Sequence, residues 1–373
     1  MRRVSDVALP QRLDNIPGAA CDTSLSLTDL TTLRLGGKPR LTVRCATAEA
    51  TAEAVRTLDE AQIPLLIVGG GSNLVVADGD LDLVDLVVVL LEDTDVQINP
   101  DTGIVRAAAG ATWDDVVRAT VEAGLGGLEC LSGIPGCAGA TPVQNVGAYG
   151  VEISDVLTRV RLWDRRTGET SWVPAGSLDL AYRYSNLKFT HRAVVLDVEF
   201  QLRTDGLSAP LRFGALARQL GAMEPGQRLP AAQVREAVLA VRRSKGMVLD
   251  AEDHDTWSAG SFFTNPVVSE ALADAVAAKV GAAGADTMPR FPTGEGRVKL
   301  SAAWLIERAG FPRGYPGEGA PARLSTRHTL ALTNRGEART GDVVALAREI
   351  IAGVKEAFGV ELVSEPVWVG VKL

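Results

Sequence analysis

Ser261 stands in the stretch Ser258-Ala259-Gly260-Ser261-Phe262-Phe263-Thr264-Asn265-Pro266. A glycine precedes it and two phenylalanines follow, so its hydroxyl can be both exposed to a ligand and desolvated. A serine alone is a poor acid or base, and gives up a proton only where a strong partner charge develops beside it. The same residue also suits a plain turn or helix cap. A second cluster, Ala181-Tyr182-Arg183-Tyr184-Ser185-Asn186, sets a guanidinium between two aromatic rings beside small polar groups. It reads as a recognition-type cluster, or as a solvated loop. His191, His254 and His328 sit in no activating context, so no Ser-His-Asp set is expected, and a metal site is equally unsupported. Cys21, Cys45, Cys130 and Cys137 are few and widely spaced, and read as buried or inert thiols.

Two glycine-rich stretches suit ligand binding by main chain. Leu65 to Asn73 reads LLIVGGGSN. Pro64 to Val68 has the length of a buried strand, and Gly69, Gly70, Gly71, Ser72 and Asn73 follow. Glycines admit positive φ and close approach, and successive amides form an anion-binding nest. A tight turn between strands is the other reading. A Rossmann fingerprint would need a helix opening inside the run. Leu74-Val75-Val76-Ala77-Asp78-Gly79 reads instead as a strand and a turn, so any anion here would meet turn amides and not a helix dipole. The second stretch, Gly126 to Gly150, contains seven glycines and two prolines, too many for long regular elements. It is also too apolar for a disordered linker. An ordered loop packed on something flat, or a structural Ω-loop, accounts for it.

The elements around these stretches follow from pattern. Thr31-Thr32-Leu33-Arg34-Leu35 alternates as a strand does, until Gly36-Gly37 breaks it. Leu41 to Val43 is a short strand. Ala46 to Ala61 is a helix with Thr47 as N-cap and Glu49 in its first turn. Val96 to Asn99 and Ile104 to Ala109 flank Pro100-Asp101-Thr102-Gly103, a hairpin signal. Thr112 should cap a helix over 113–122. Strands are expected over 158–164, 170–174 and 193–202, and a helix over 231–243 whose end, Arg242-Arg243-Ser244-Lys245, suits the dipole. Met247 to Trp257 reads as an exposed acidic boundary loop. Ser269 should cap a helix over 270–280. A helix over 301–309, a strand over 329–332, an amphipathic helix over 341–358 and a last strand over 362–371 complete the chain.

A length of 373 residues implies two or three domains, and 46% hydrophobic residues place the chain among globular proteins. The net charge of −8 disfavours non-specific nucleic-acid binding but allows a local basic pocket for an anionic small molecule. No apolar run approaches the length of a membrane span. The N-terminus has no apolar run of the signal-peptide kind, so the cytoplasm is the expected location.

Taken together, VGGGSN at 68–73, GIPGCAGATPVQNVGAYG at 133–150, YRYS at 182–185, AGSFFTNP at 259–266, KLSAAWLIERAGF at 299–311 and SEP at 364–366 occur in the order seen in the UDP-N-acetylenolpyruvoylglucosamine reductases of bacterial cell-wall synthesis. The chain resembles the type I form of that family over nearly its whole length. The resemblance implies an α+β protein: a two-lobe FAD module of the PCMH, or vanillyl-alcohol oxidase-like, fold (1–92, with 359–373 packing back on it, and 93–245) and an α+β substrate domain (246–358). It implies FAD and NADPH as cofactors and UDP-N-acetylglucosamine enolpyruvate as substrate, with a hydride passing from flavin N5 to C3 and a proton to C2. A monomer is expected.

Residue by residue, the resemblance makes Ser261 the C2 proton donor and Arg183 and Glu365 the stabilisers of the enolate. Glu365 would have to be protonated or act by orienting, since a bare carboxylate would repel that charge. FAD would be held by Val68, Gly69, Gly70, Gly71, Ser72 and Asn73, and by Gly133, Ile134, Pro135, Gly136, Ala140, Thr141, Gln144, Asn145, Gly147, Ala148 and Tyr149. Tyr182, Lys245 (at the diphosphate), Asn265, Phe213 and His328 would meet the substrate. The chain departs from the family in three places. Phe213-Gly214 replaces a Tyr-Gly pair, His328 lies where glutamine is common, and the link after Lys245 is longer and more acidic. The rival readings are an FAD oxidase of the same superfamily and a non-catalytic nucleotide-sugar binder.

Overall fold

A computed structural model describes residues 8–79, 83–212, 214–222, 224–281 and 288–373. The chain is α+β and divides into two compact units. One comprises Met1–Leu25, Lys38–Gly71 and Leu83–Ser244, the other Ser26–Gly37, Ser72–Asp82 and Lys245–Leu373.

Among the described residues the first unit contains a short antiparallel pair, Gly147–Ala148 with Val151–Glu152, and two larger sheets. In the smaller, the strands run in the order Ala19–Asp22, Leu41–Cys45, Val87–Leu91, Leu65–Val68. The last three are parallel, as the intervening helix Ala48–Glu60 requires. Thr47 caps that helix, its side chain accepting from the Ala50 amide at 3.0 Å. Ala50, Ala54, Val55 and Leu58 are buried beneath the sheet with Val43, Val87 and Val89. The strand at 65–68 is only half-buried except at Val68, so the expectation of a buried strand holds just for its last residue, the one entering the glycine turn.

The larger sheet is antiparallel, in the order Glu169–Pro174, Leu157–Asp164, Ala193–Gln201, Ile104–Ala108, Val96–Asn99. Its core includes Trp113, Val116, Val117, Leu131 and Phe200, and Trp113 meets Phe200 edge to face at 5.9 Å. Helix Trp113–Glu122 starts where expected, but Thr112 makes no side-chain cap. The Trp113 amide, one of the helix's unpaired first donors, bonds to the Gly136 carbonyl of the second glycine stretch at 2.9 Å.

In the second unit, the strand Leu74–Val76 pairs in parallel with Val367–Val369, and Ala322–Leu324 pairs with Leu332–Asn334. The helix Thr340–Phe358 buries Val343, Ala347, Ile350 and Val354 at helical spacing, and Gly359 ends it at φ 69°. Residues 31–35 are not a strand. The Thr31 hydroxyl donates to the Leu35 carbonyl at 3.0 Å and accepts from the Leu35 amide at 3.2 Å, closing a side-chain turn that takes the place of a ladder. The expected last strand shrinks to 367–369, since Pro366 has no amide to donate.

Candidate active site

In the first unit the two glycine stretches lie against each other. A Cβ on Gly70 would come within 2.6 Å of the Gly136 Cα, and one on Gly69 within 3.1 Å of the Cys137 Cβ. The Gly70–Gly136 approach is possible only between bare backbones, and it brings the peptide groups of the two stretches together. Gly71, Gly133 and Gly136 have φ of 55°, 69° and 122°, and Asn145 and Tyr149, at 46° and 53°, adopt the left-handed region without being glycine. Asn145 is compensated: its side-chain amide donates to Glu152 at 3.0 Å and to the Ala181 carbonyl at 3.1 Å, and its oxygen accepts from the Ser154 amide at 3.0 Å. Ile134, Pro135, Val143 and Ala148 stay half-exposed around these peptide groups. A peptide-lined cradle with an apolar border fits a diphosphate joined to aromatic rings, the chemistry of FAD. Ser72 and Asn73, next in the chain, belong to the second unit.

Asp114 fixes the start of the second stretch. It accepts from the Gly133 amide at 2.6 Å and from both terminal nitrogens of Arg235, at 2.6 and 2.8 Å. Burial pushes its carboxyl up, but Arg235 and the amide outweigh this and hold it below the usual range. Arg242 does more than suit the dipole at its helix end. It is buried, and burial draws its guanidinium down, while Arg243 and Lys245 are exposed. Val234, Val238 and Arg242 lie four apart on one buried helix face, and the Arg242 side chain bonds to Tyr149. That spacing was the available signal: the arginine occupies a core position of an otherwise apolar stripe.

Arg183 is held by its own loop. Ala181 and Tyr184 exchange two backbone hydrogen bonds at 3.1 and 3.0 Å, and this tight turn puts Arg183 at φ 55°. Its guanidinium donates to the Gly147 carbonyl at 2.6 Å and lies 5.1 Å from the centre of the Tyr182 ring. The second glycine stretch and the arginine are therefore one construction. Tyr182 and Tyr184 are exposed, and Ser185 is buried with its hydroxyl on the Val143 carbonyl.

In the second unit, three segments far apart in sequence meet. The Phe262 amide donates to the Leu330 carbonyl at 2.7 Å, and the Glu365 amide donates to the Phe262 carbonyl at 2.9 Å. Phe263 faces Ser364 across an antiparallel bridge. Ser261, the loop carrying His328, and Glu365 are thereby adjacent, and Ser261 Oγ lies 3.3 Å from His328 Nε2. Phe262 and Phe263 are fully buried and anchor the serine's segment, and Ser261 is half-exposed. Asn265 turns its side-chain oxygen to the Ala302 amide at 2.9 Å, at the start of the helix Ala302–Arg308. Phe213 lies outside the described residues.

The 247–257 link is not simply an exposed acidic loop. Asp255 is buried, and accepts from Ser325 at 2.9 Å, the Thr326 amide at 3.1 Å, Arg327 at 3.0 Å and Arg335 at 2.6 Å. Burial pushes this carboxyl up, but these donors, led by the Thr326 amide, bring it down to about 2. Its folded value lies below the unfolded one, so its stabilisation is complete above about pH 4 and disappears as pH falls through 2. Asp255→Asn should lower unfolding stability at neutral pH by about 3 kcal/mol, because two arginines lose their buried partner. The variant should also lose the Asp255 share of the wild-type acid transition, roughly 2 kcal/mol. Urea unfolding from pH 7 to pH 2 checks both, and an unchanged acid transition would contradict the assignment.

Cys45, Cys130 and Cys137 are buried, and burial pushes their thiols up to about 12, 12 and 11. They are inert at neutral pH. Cys21, which is half-buried, is likewise pushed up to about 12, by burial and by Asp14. Among the described residues no helix is long and apolar enough to cross a membrane, and no His, Cys, Asp and Glu cluster could hold a metal.

Residues 39–173 match an FAD binding domain family, and residues 251–369 match the family described as UDP-N-acetylenolpyruvoylglucosamine reductase, C-terminal domain. The chain is 65% identical to UDP-N-acetylenolpyruvoylglucosamine reductase 2 of Corynebacterium glutamicum, over 99% of each chain. It is 60% identical to the UDP-N-acetylenolpyruvoylglucosamine reductase of Corynebacterium diphtheriae, over 100% of this chain and 96% of that one. A crystal structure of the Thermus caldophilus UDP-N-acetylenolpyruvylglucosamine reductase shares the fold, with a TM-score of 0.62 at 23% identity, covering 94% of this chain and 98% of that one. From its FAD-binding region through its C-terminal domain, this chain belongs to the UDP-N-acetylenolpyruvoylglucosamine reductase family.

Proposed function

We propose that this chain reduces UDP-N-acetylglucosamine enolpyruvate to UDP-N-acetylmuramate at the expense of NADPH, as a cytoplasmic monomer supplying peptidoglycan precursor synthesis. The observation that carries the proposal is the meeting of Ser261 and Glu365 on paired segments within the matched C-terminal domain. We assign 1–92 and 93–245 to the cofactor module, with 359–373 returning to it, and 246–358 to the substrate domain. FAD, held on the backbone of 69–71 and 133–136, would supply the chemistry of hydride transfer from NADPH to C3 of the enol ether. Every other task falls to the chain. The backbone of 69–71 and 133–136 holds the cofactor diphosphate, with Val68, Asn145 and Tyr149 fixing the ends of the two stretches.

Hydride addition at C3 spreads negative charge over C2 and the substrate carboxylate, and stabilising that charge is the main catalytic requirement. Arg183 supplies a permanent cation whose fork is oriented in advance by Gly147. Glu365 acts in its protonated form or by orienting. Ser261 gives its proton to C2, where the developing carbanion is basic enough to take it. Lys245 meets the substrate diphosphate, and Tyr182, Asn265, Phe213 and His328 complete the substrate contacts.

A visible spectrum tests the reading. Purified protein supplied with FAD should show flavin absorbance, bleached by NADPH without oxygen and restored by the enolpyruvate substrate. Absence of flavin uptake would exclude it, and flavin reoxidised only by oxygen would favour the oxidase rival. Gly70→Ala should prevent flavin uptake, because its Cβ must force the two glycine stretches apart.

A further inference from the structure

Ser261 Oγ and His328 Nε2 are within hydrogen-bond distance, at 3.3 Å. On the reading above, Ser261 points its hydrogen at substrate C2, so its oxygen must be the acceptor and His328 Nε2 the donor. The loop is built to keep that nitrogen in place. The Ser325 hydroxyl accepts from the His328 amide at 3.1 Å and from the Arg327 amide at 3.0 Å, and donates to buried Asp255 at 2.9 Å. The His328 carbonyl accepts from the Ala331 amide at 3.1 Å, and Leu330 pairs with the backbone beside Ser261. Asp255 thus positions the histidine through Ser325.

A serine that loses its proton outright becomes an alkoxide, an unfavourable species at neutral pH. We propose that His328 acts as an imidazolium that replaces the serine proton as it leaves. The C2 electron pair forms the new C2–H bond, and the Ser261 Oγ–H bond breaks. The His328 Nε2–H bond breaks in the same step, its proton forming a new Oγ–H bond while its electron pair stays on Nε2. The products are the protonated substrate carbon, an intact serine and a neutral imidazole, which regains its proton from solvent. The hydride comes from the family reaction, so no further reductant is needed. This proposal rests on Ser261 being the C2 proton donor.

The ionisable groups on the segments around His328 are Glu365, paired through its backbone with Phe262, and Glu307, bonded to the Thr329 hydroxyl. Asp255, Arg327 and Arg335 lie at the base of the loop, and Asp253 pairs with Arg327. Those with resolved shifts do not titrate near neutrality: the Asp255 carboxyl is down to about 2, and the Arg327 guanidinium is raised.

The test uses His328→Gln holoenzyme, whose side-chain amide can still donate to Ser261 but cannot release a proton. Stopped-flow measurement should find flavin reduction by NADPH unchanged and reoxidation by substrate slowed at least tenfold. In the wild type, reoxidation should slow as pH rises, and this limb should vanish in His328→Gln. Nitrogen-15 NMR of the imidazoles gives an independent reading. With three histidines in the chain, the signal missing from His328→Gln identifies His328, and its titration should coincide with the kinetic limb. Unchanged His191 and His254 signals show an intact fold. A His328→Gln enzyme with wild-type reoxidation and pH profile, or a His328 titration that does not match the limb, overturns the relay. If Ser261→Ala reoxidises normally, the serine assignment fails instead, and the two failures are distinct.

Discussion

Replacing Ser261 by alanine should leave reduction of the bound flavin by NADPH near its normal rate and slow reoxidation by the enolpyruvate substrate by roughly 10²–10⁴-fold, the range for losing a positioned proton donor. The asymmetry follows from the chemistry. NADPH gives a hydride without needing a protein acid, whereas the second half-reaction ends with a carbanion at C2. The segment carrying Ser261 is anchored by Phe262 and Phe263 and by backbone hydrogen bonds with both neighbouring segments, so removing one oxygen leaves its path unchanged. Anaerobic stopped-flow traces separate the two halves directly. Equal slowing of both would refute the role and point to a general disturbance of the protein.

Arg183→Lys should cost roughly 10²–10³-fold in kcat, although the charge is kept, as removing an oriented donor from a developing oxyanion commonly does. The arginine is not a free cation on a flexible stem. Its fork is seated on the Gly147 carbonyl at 2.6 Å and its backbone is held at φ 55° by the 181–184 turn. A lysine ammonium is a point charge that cannot reproduce the planar geometry. Steady-state kcat and KM settle the matter. A rise in KM with kcat preserved would mean that Arg183 binds ground state and transition state equally, contrary to its assignment.

The serine and the arginine stood out as residue types in short stretches, as did both glycine turns, whereas Glu365 came only from the family resemblance. Local chemistry sufficed there: glycine runs, a Gly-Ser-Phe-Phe sequence and an aromatic-flanked arginine each declare themselves within a few positions. The absence of a helix after Gly71 also excluded a Rossmann turn correctly, since Leu74–Val76 is a strand. Errors arose where a side chain's partner lies far along the chain. Thr112 begins its helix without a side-chain cap. Thr31 turned an alternating pattern into a loop. The acidic link became a buried charge centre only because Arg327 and Arg335 come back to Asp255 from seventy and more residues away.

The sequence by itself therefore determined most element types, the two glycine turns and the family, because these depend on local conformational preference and on ordered short motifs. The tertiary structure alone decided that Arg242 is a core residue bonded to Tyr149, that Asp114 holds the Gly133 amide, and that His328 faces Ser261. Each of these is a pairing of polar groups brought together by burial of the apolar residues around them. A buried polar group must find its partner wherever the packed chain places it, and periodicity along the sequence carries no record of that place.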